Sequence, residues 1–134
     1  AYTMRYIFLG LCSRLADSMV FWSLAAHGFG LVDPGTKPDA EWRGRAAFKA
    51  LRFFFRLFKH GHYTRAILTG EKEAWAFQFV SGEGDNILVA WSSAKPGKHQ
   101  PMPQIPFKHT KVYNMCGEEI LLSSRLDPEP IYIT

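Results

Sequence analysis

The expected fold depends on residues 19–25, which have the sequence Met-Val-Phe-Trp-Ser-Leu-Ala. This run is almost wholly apolar and lacks the alternation of a strand that shows one face to water. Runs of this kind are typical of strands in parallel sheets, because helices cover both faces of such sheets. Residues 19–25 are therefore predicted to form a buried parallel strand.

Helical patterns lie on both sides of this run. Apolar residues recur every three to four positions over residues 2–16, and a second helix is predicted from a cap at Asp39 to about His60. A loop rich in glycine and proline separates the run from the second helix. A helix that leads into a buried strand is half of an α/β repeat. Because the first helical pattern has no capping residue before it, we expect the chain to start partway through a fold.

Beyond residue 61 the period of the apolar pattern changes to two. Residues 74–80 alternate, with Trp75, Phe77 and Phe79 on one side. Further short strands are predicted at 63–69, 87–92, 111–115, 119–123 and 131–133, and strands with turns at this spacing are typical of a β-sandwich. The three aromatic residues are more typical of the core of such a sandwich than of a carbohydrate-binding strip.

The charge of the chain is concentrated on the second helix. A membrane-spanning helix needs about 20 apolar residues in succession, and the sequence contains no such run. A basic helix face could bind nucleic acid or acidic lipid, but a charged face in contact with water is the more usual case. No nucleic-acid or membrane partner is therefore predicted for the face formed by Arg45, Lys49, Arg52, Arg56 and Lys59.

The cysteines and histidines give no firm site. Cys12 and Cys116 could form a disulfide, although two buried free thiols are favoured. His60 and His62 have a spacing that can hold a metal ion on a strand. No third ligand is evident, so a cation at the end of a helix is favoured for this pair. The sequence predicts neither a metal nor another cofactor.

Three stretches of sequence carry a resemblance to a known family. They are residues 2–6 (YTMRY) with 19–22 (MVFW), residues 29–33 (FGLVD) with 46–51 (AAFKAL), and residues 112–117 (VYNMCG) with 130–133 (PIYI). In this order they resemble the C-terminal portion of clan A retaining glycoside hydrolases, which are (β/α)8-barrel enzymes that often carry a C-terminal β-sandwich. The resemblance implies an α/β remnant of a (β/α)8 barrel at residues 1–61 and an all-β sandwich domain at residues 62–134.

The same resemblance implies part of an enzyme that hydrolyses β-linked oligo- or polysaccharide. Retaining hydrolysis needs two carboxylates about 5 Å apart, and in the family these follow the fourth and seventh barrel strands. Both positions fall before Ala1, so no catalytic residue is assigned. The chain would close the barrel and line one side of the sugar site, and its partner would be the remaining barrel polypeptide or another copy of the chain. It departs from the family at Asp17-Ser18, where glycine is frequent, and at Ser23, where an aromatic residue is frequent.

Two residues are predicted to bind the sugar. Trp22 lies toward the C-terminal end of the predicted strand, the edge at which barrel active sites form, and its ring could stack on a sugar or pack between helices. His27 follows the strand and could donate to a sugar hydroxyl or remain a solvated loop histidine. Two other functions stay open: a non-catalytic carbohydrate-binding or accessory β-sandwich module, and a protein that interacts through its basic helix.

Overall fold

The computed structural model describes residues 2–16, 18–20, 24–26, 30–35, 41–95 and 97–134. Within these ranges the chain forms two α-helices and nine short strands. In chain order they are α1 (Tyr2–Ser13), β1 (Val32–Asp33), β2 (Arg43–Gly44), α2 (Ala46–Leu57), β3 (His62–Ala66), β4 (Ala74–Val80), β5 (Asn86–Ser92), β6 (Gln100–Pro101), β7 (Val112–Tyr113), β8 (Arg125–Leu126) and β9 (Ile131–Ile133).

A five-stranded antiparallel sheet organises the molecule. Its strand order is β3-β4-β5-β9-β7, so β9 is inserted between β5 and β7. The hairpin of β4 and β5 is in register from the pair Ala74–Ser92 to the pair Val80–Asn86. This register places Phe77 opposite Val89 and Phe79 opposite Ile87 on one face. Apolar cross-strand pairs of this kind stabilise a sheet.

Both helices pack against this aromatic face of the sheet. Phe8 of α1 is fully buried, and its ring centroid lies 5.5–6.1 Å from those of five other aromatic residues. The helix-side core joins both helices to β4, β5 and β9 and consists of Met4, Phe8, Ala50, Phe53, Phe54, Phe58, Phe77, Phe79, Ile87, Val89, Trp91, Met115 and Tyr132.

The opposite face of the sheet has a second apolar cluster. Ala74, Ala76 and Ala90 contribute small side chains to this face, with Leu88 and Ile133 beside them. Its cover comes from Leu126 of the β6–β8 ribbon and from the loop residues Met102, Ile105 and Phe107. The molecule therefore has three layers: two helices, the antiparallel sheet, and a thin layer of ribbon and loop.

The predicted fold class is wrong. An α/β remnant of a (β/α)8 barrel followed by a separate β-sandwich was expected, whereas both helices lie on one antiparallel sheet. The prediction assumed that the helices needed the surface of a missing barrel and that the strands needed a second sheet. In the structure the apolar faces of the helices and the aromatic face of the sheet cover each other.

The described part of the predicted strand at 19–25 also differs from expectation. Met19 and Val20 belong to no strand, and Val20 is 83% exposed. Leu24 is 57% exposed, and Ala25 forms an isolated parallel bridge with Val32. These four residues do not form a buried strand, and residues 21–23 lie outside the described ranges.

Both helices are shorter than predicted. α1 ends at Ser13, whose hydroxyl donates to the Gly10 carbonyl (2.7 Å), and Arg14 has a φ of 57°. α2 begins at Ala46, and β2 occupies part of the predicted first turns. The N-cap is Arg45, which makes no side-chain cap hydrogen bond. The predicted cap, Asp39, lies outside the described residues.

Cys12 and Cys116 are free thiols at the edge of the helix-side core. Burial raises the pKa of Cys12 from 9.0 to about 12. Because this pKa is higher in the folded chain, the unfolded chain releases the proton first as pH rises. Cys12 therefore lowers the stability of the fold between pH 9 and 12.

Alkylation of Cys12 should report this burial directly. At pH 9 about half of the unfolded thiols are ionised, against roughly one in a thousand in the folded chain. In a Cys116→Ser background, iodoacetamide should therefore modify Cys12 far more slowly in buffer than in denaturing urea. Equal rates in the two conditions would show that the packing of α1 in the folded chain does not bury this thiol.

Candidate functional site

The structure does not place the two predicted sugar-binding residues. Trp22 and His27 both lie outside the described ranges, so their contacts with sugar remain predictions. The nearest described positions are Val20, Leu24 and Ala26, which belong to no helix or strand. The candidate site therefore consists of other residues.

Carboxylates occur only as exposed or half-exposed groups in the described part of the chain. All seven glutamates are exposed, and none belongs to a helix or to a strand of the sheet. Asp85 and Asp127 are exposed, while Asp33 is half-buried and pairs with Arg45 (3.3 Å). A glycosidase acid has its pKa raised by burial against apolar groups, and these carboxylates lack such an environment.

A cleft with a volume of about 760 Å³ lies at the C-terminal end of α2. One wall consists of residues from the end of α2 and its following turn, residues 53–60. The β4–β5 turn, residues 81–87, forms the second wall. Residues from the segment 107–113, together with Thr134, form the third. The cleft thus lies between three segments that are distant in sequence.

The β4–β5 turn is held closely against the end of α2. The Gly82 N–H donates to the Lys59 carbonyl (3.2 Å), and a Cβ at Gly82 would lie 2.5 Å from that oxygen. Only glycine permits this approach. Within the turn, the Ser81 hydroxyl accepts from the N–H groups of Glu83 (3.2 Å) and Asp85 (3.1 Å). These bonds fix the position of the turn that carries both carboxylates.

Charges of both signs line the cleft. Arg56, Lys59 and Lys108 contribute cations, and Glu83 and Asp85 contribute carboxylates. Among the described residues, none of these five side chains forms an ion pair within 4.0 Å. Their charged groups therefore remain available to a ligand.

Aromatic rings supply the apolar part of the lining. Phe53 is buried, and its ring centroid lies 5.4 Å from that of the half-buried Tyr113. Phe107 is also half-buried and lines the cleft from the loop layer. A few polar groups around an apolar surface are typical of small-ligand sites. This lining can bind and orient a polyol, with the rings against its C–H faces and the charged groups on its hydroxyls.

A second concavity of about 460 Å³ adjoins the cleft and shares Phe53 and Arg56 with it. Its other lining residues are Lys49, Arg52, Cys116 and Gly117. We define the basic strip as Lys49, Arg52, Arg56 and Lys59. Arg45, which the sequence pattern placed on the same helix face, instead donates to Asp33 and to the Ala26 carbonyl (both 3.3 Å). The strip therefore begins one turn later than predicted.

Other sequence candidates have structural roles. Phe77 and Phe79 are buried beneath the helices, whereas Trp75 is 36% exposed and donates from Nε1 to the Ser93 hydroxyl (3.1 Å). His60 takes a left-handed conformation after α2 (φ 57°), and His62 begins β3. No group of three or more potential metal ligands is found among the described residues. Neither of the helices described is long and apolar enough to cross a membrane.

Comparison of the chain with models of known protein families, with curated proteins and with solved structures gave no match. The resemblance to clan A glycoside hydrolases therefore depends on the three quoted stretches of sequence.

Proposed function

We propose that this chain is a non-catalytic carbohydrate-binding part of a glycoside hydrolase that acts on β-linked oligo- or polysaccharide. The sequence resemblance suggests the enzyme class. With a sheet-and-helix fold in place of a barrel remnant, the proposed contribution is binding of the sugar chain, and closure of the barrel is no longer part of the proposal.

The lining of the cleft carries this proposal. Sugars combine hydroxyl groups, which need hydrogen-bond partners, with C–H faces that pack on aromatic rings. Glu83 and Asp85 can accept from hydroxyls, Lys108 can donate to them, and Tyr113 offers a ring face. Retaining hydrolysis needs two carboxyl groups about 5 Å apart, one of which is an acid in apolar surroundings. The carboxylates of the described residues are exposed or half-exposed, so none of them has such surroundings. This combination favours binding over catalysis.

Asp85→Ala should weaken the binding of a neutral β-linked oligosaccharide. The Asp85 side chain forms no hydrogen bond or ion pair with the described residues, so its removal should leave the fold intact. Loss of a hydrogen bond to a charged acceptor should lower the affinity by about tenfold or more. Calorimetric titration with gluco-, xylo-, manno- and chito-oligosaccharides would identify the ligand and measure the change.

Glu71→Ala is the matched control for this experiment. Glu71 is an exposed carboxylate in the turn before β4 and does not line the cleft. Its replacement should leave the affinity unchanged. The proposal fails if no sugar of the panel binds, or if both variants lose the same affinity. Hydrolysis of aryl β-glycosides by the purified chain, abolished by replacing one of its glutamates, would also contradict it.

A further inference from the structure

We propose that the ligand of the cleft is an acidic polysaccharide, a β-linked uronate chain whose carboxylates lie along the basic strip. This inference rests on the proposed function and specifies its ligand.

Three cations of the strip, Lys49, Arg52 and Arg56, recur at spacings of three and four residues on α2, so they lie within one face of the helix. Lys59 follows in the turn directly after the helix and continues the row toward the cleft. At a rise of 1.5 Å per residue the strip is about 15 Å long. A chain of uronates carries one carboxylate on every sugar, so several of its charges can meet this row. Arg52 and Arg56 can bind carboxylates through two parallel hydrogen bonds.

The charges of the strip are not neutralised by ion pairs within the described ranges. None of its four side chains forms an ion pair with another described residue. The nearby carboxylate of Glu118 instead accepts from the Asn114 amide (2.7 Å). Arg56 lies over the Phe53 ring, with its guanidinium carbon 5.1 Å from the ring centroid. This contact holds one cation at the junction of the two concavities.

The strip and the cleft form one continuous concave surface. Phe53 and Arg56 line both concavities, so one ligand can extend from one into the other. The cleft holds Glu83 and Asp85 beside its cations. These carboxylates repel any anionic group but accept hydrogen bonds from sugar hydroxyls. Every sugar of a uronate chain carries both hydroxyls and a carboxylate, so the chain can place hydroxyls at Glu83 and Asp85 and carboxylates at the cations of the strip.

An acidic membrane surface is the other anionic partner that the helix could meet. Phe55 of α2 is 67% exposed and lies near the strip in the helical sequence. However, a bilayer surface cannot enter the cleft beyond Arg56 and Lys59. The continuous concave surface therefore favours a flexible polymer over a membrane.

Two tetrasaccharides that differ only in charge test this inference. Oligomannuronate and manno-oligosaccharide of the same β-linkage share the same ring, but the first carries a carboxylate on every sugar. The wild-type chain should bind oligomannuronate at least tenfold more tightly at low salt. Because exposed charge pairs are screened by salt, this preference should shrink as ionic strength rises.

Replacing the two cations of the strip that lie outside the cleft should remove the preference for oligomannuronate over the neutral sugar. Lys49→Gln with Arg52→Gln changes two cations that line only the second concavity. This double variant should lose roughly tenfold in affinity for oligomannuronate and retain its affinity for the neutral sugar. Lys72→Gln with Arg125→Gln, two exposed cations outside both concavities, is the matched control and should retain both affinities.

The possible outcomes separate the inference from the proposed function. Equal binding of the two tetrasaccharides would overturn the inference and leave the proposed function standing. Binding of neither would overturn the inference, and the proposed function would then be decided by the other sugars of the oligosaccharide panel. Stronger binding to duplex DNA, or to phosphatidylserine vesicles, than to oligomannuronate at the same salt would also overturn the inference and assign the strip to that partner.

Discussion

Phe8→Ala is expected to lower the free energy of unfolding by about 3–5 kcal/mol, the usual cost of removing a fully buried phenylalanine. Phe8 is 0% exposed, and its ring is close to Phe54, Phe58, Phe79, Trp91 and Tyr132. Truncation would leave a cavity between α1, α2 and the sheet. Urea unfolding followed by circular dichroism would measure the loss, and the sheet should unfold at a lower urea concentration together with the helices.

Tyr6→Ala is the control on the same helix. Tyr6 is 62% exposed, so its replacement should change stability by no more than about 0.5 kcal/mol. If Phe8→Ala costs as little as Tyr6→Ala, α1 does not pack on the sheet.

β4, β5 and β9 could be predicted from the sequence because their signal is local. The strand predicted at 119–123 is wrong, since of these residues only Glu119 forms a bridge, with Tyr113. β4 has the predicted bounds, Ala74–Val80, and β5 begins one residue before the prediction. Strict alternation fixes which residues share a face, so the separation of Phe77 and Phe79 from Ala74 and Ala76 followed directly. The two helices were likewise found from their periodicity, although their ends were not.

The surface that covers each face could not be predicted in the same way. Apolar periodicity shows that a face is buried, but it does not identify the partner that buries it. Because a buried parallel strand was predicted at 19–25, α1 and α2 were assigned to a barrel. The five-stranded sheet that they cover was assigned to a separate domain. An apolar run alone is consistent with several structures, and the described residues of this one show Val20 and Leu24 largely exposed.

The candidate site was only partly visible in the sequence. The basic strip was found as part of a helix face, and the strands predicted at 74–80 and 87–92 are joined by the turn that forms the second wall of the cleft. Lys108 and Thr110 carried no signal, because they reach the cleft only through the packing of the loop layer. Arg45 does not belong to the strip for a similar reason, since it pairs with Asp33 of β1 and this contact arises only in the folded chain.

Gly117→Ala is expected to lower the free energy of unfolding by about 2–6 kcal/mol. Gly117 has a φ of 89°, which costs a residue with a Cβ about 1–3 kcal/mol. A Cβ at this position would also lie 2.3 Å from the Phe53 ring, and overpacking of this kind costs about 1–3 kcal/mol. Because Phe53 is part of the helix-side core, its ring has little room to move.

Gly70→Ala separates the two contributions. Gly70 has a similar φ of 77°, but nothing lies within 4 Å of the Cβ it would gain. Its replacement should therefore cost only the backbone contribution, about 1–3 kcal/mol, and the difference between the two variants measures the contact with Phe53. Since Phe53 lines both concavities, Gly117→Ala should also weaken oligomannuronate binding, whereas Gly70→Ala should not. Equal destabilisation by the two variants would mean that the Phe53 ring moves aside, and that the wall between the cleft and the basic strip is not rigid.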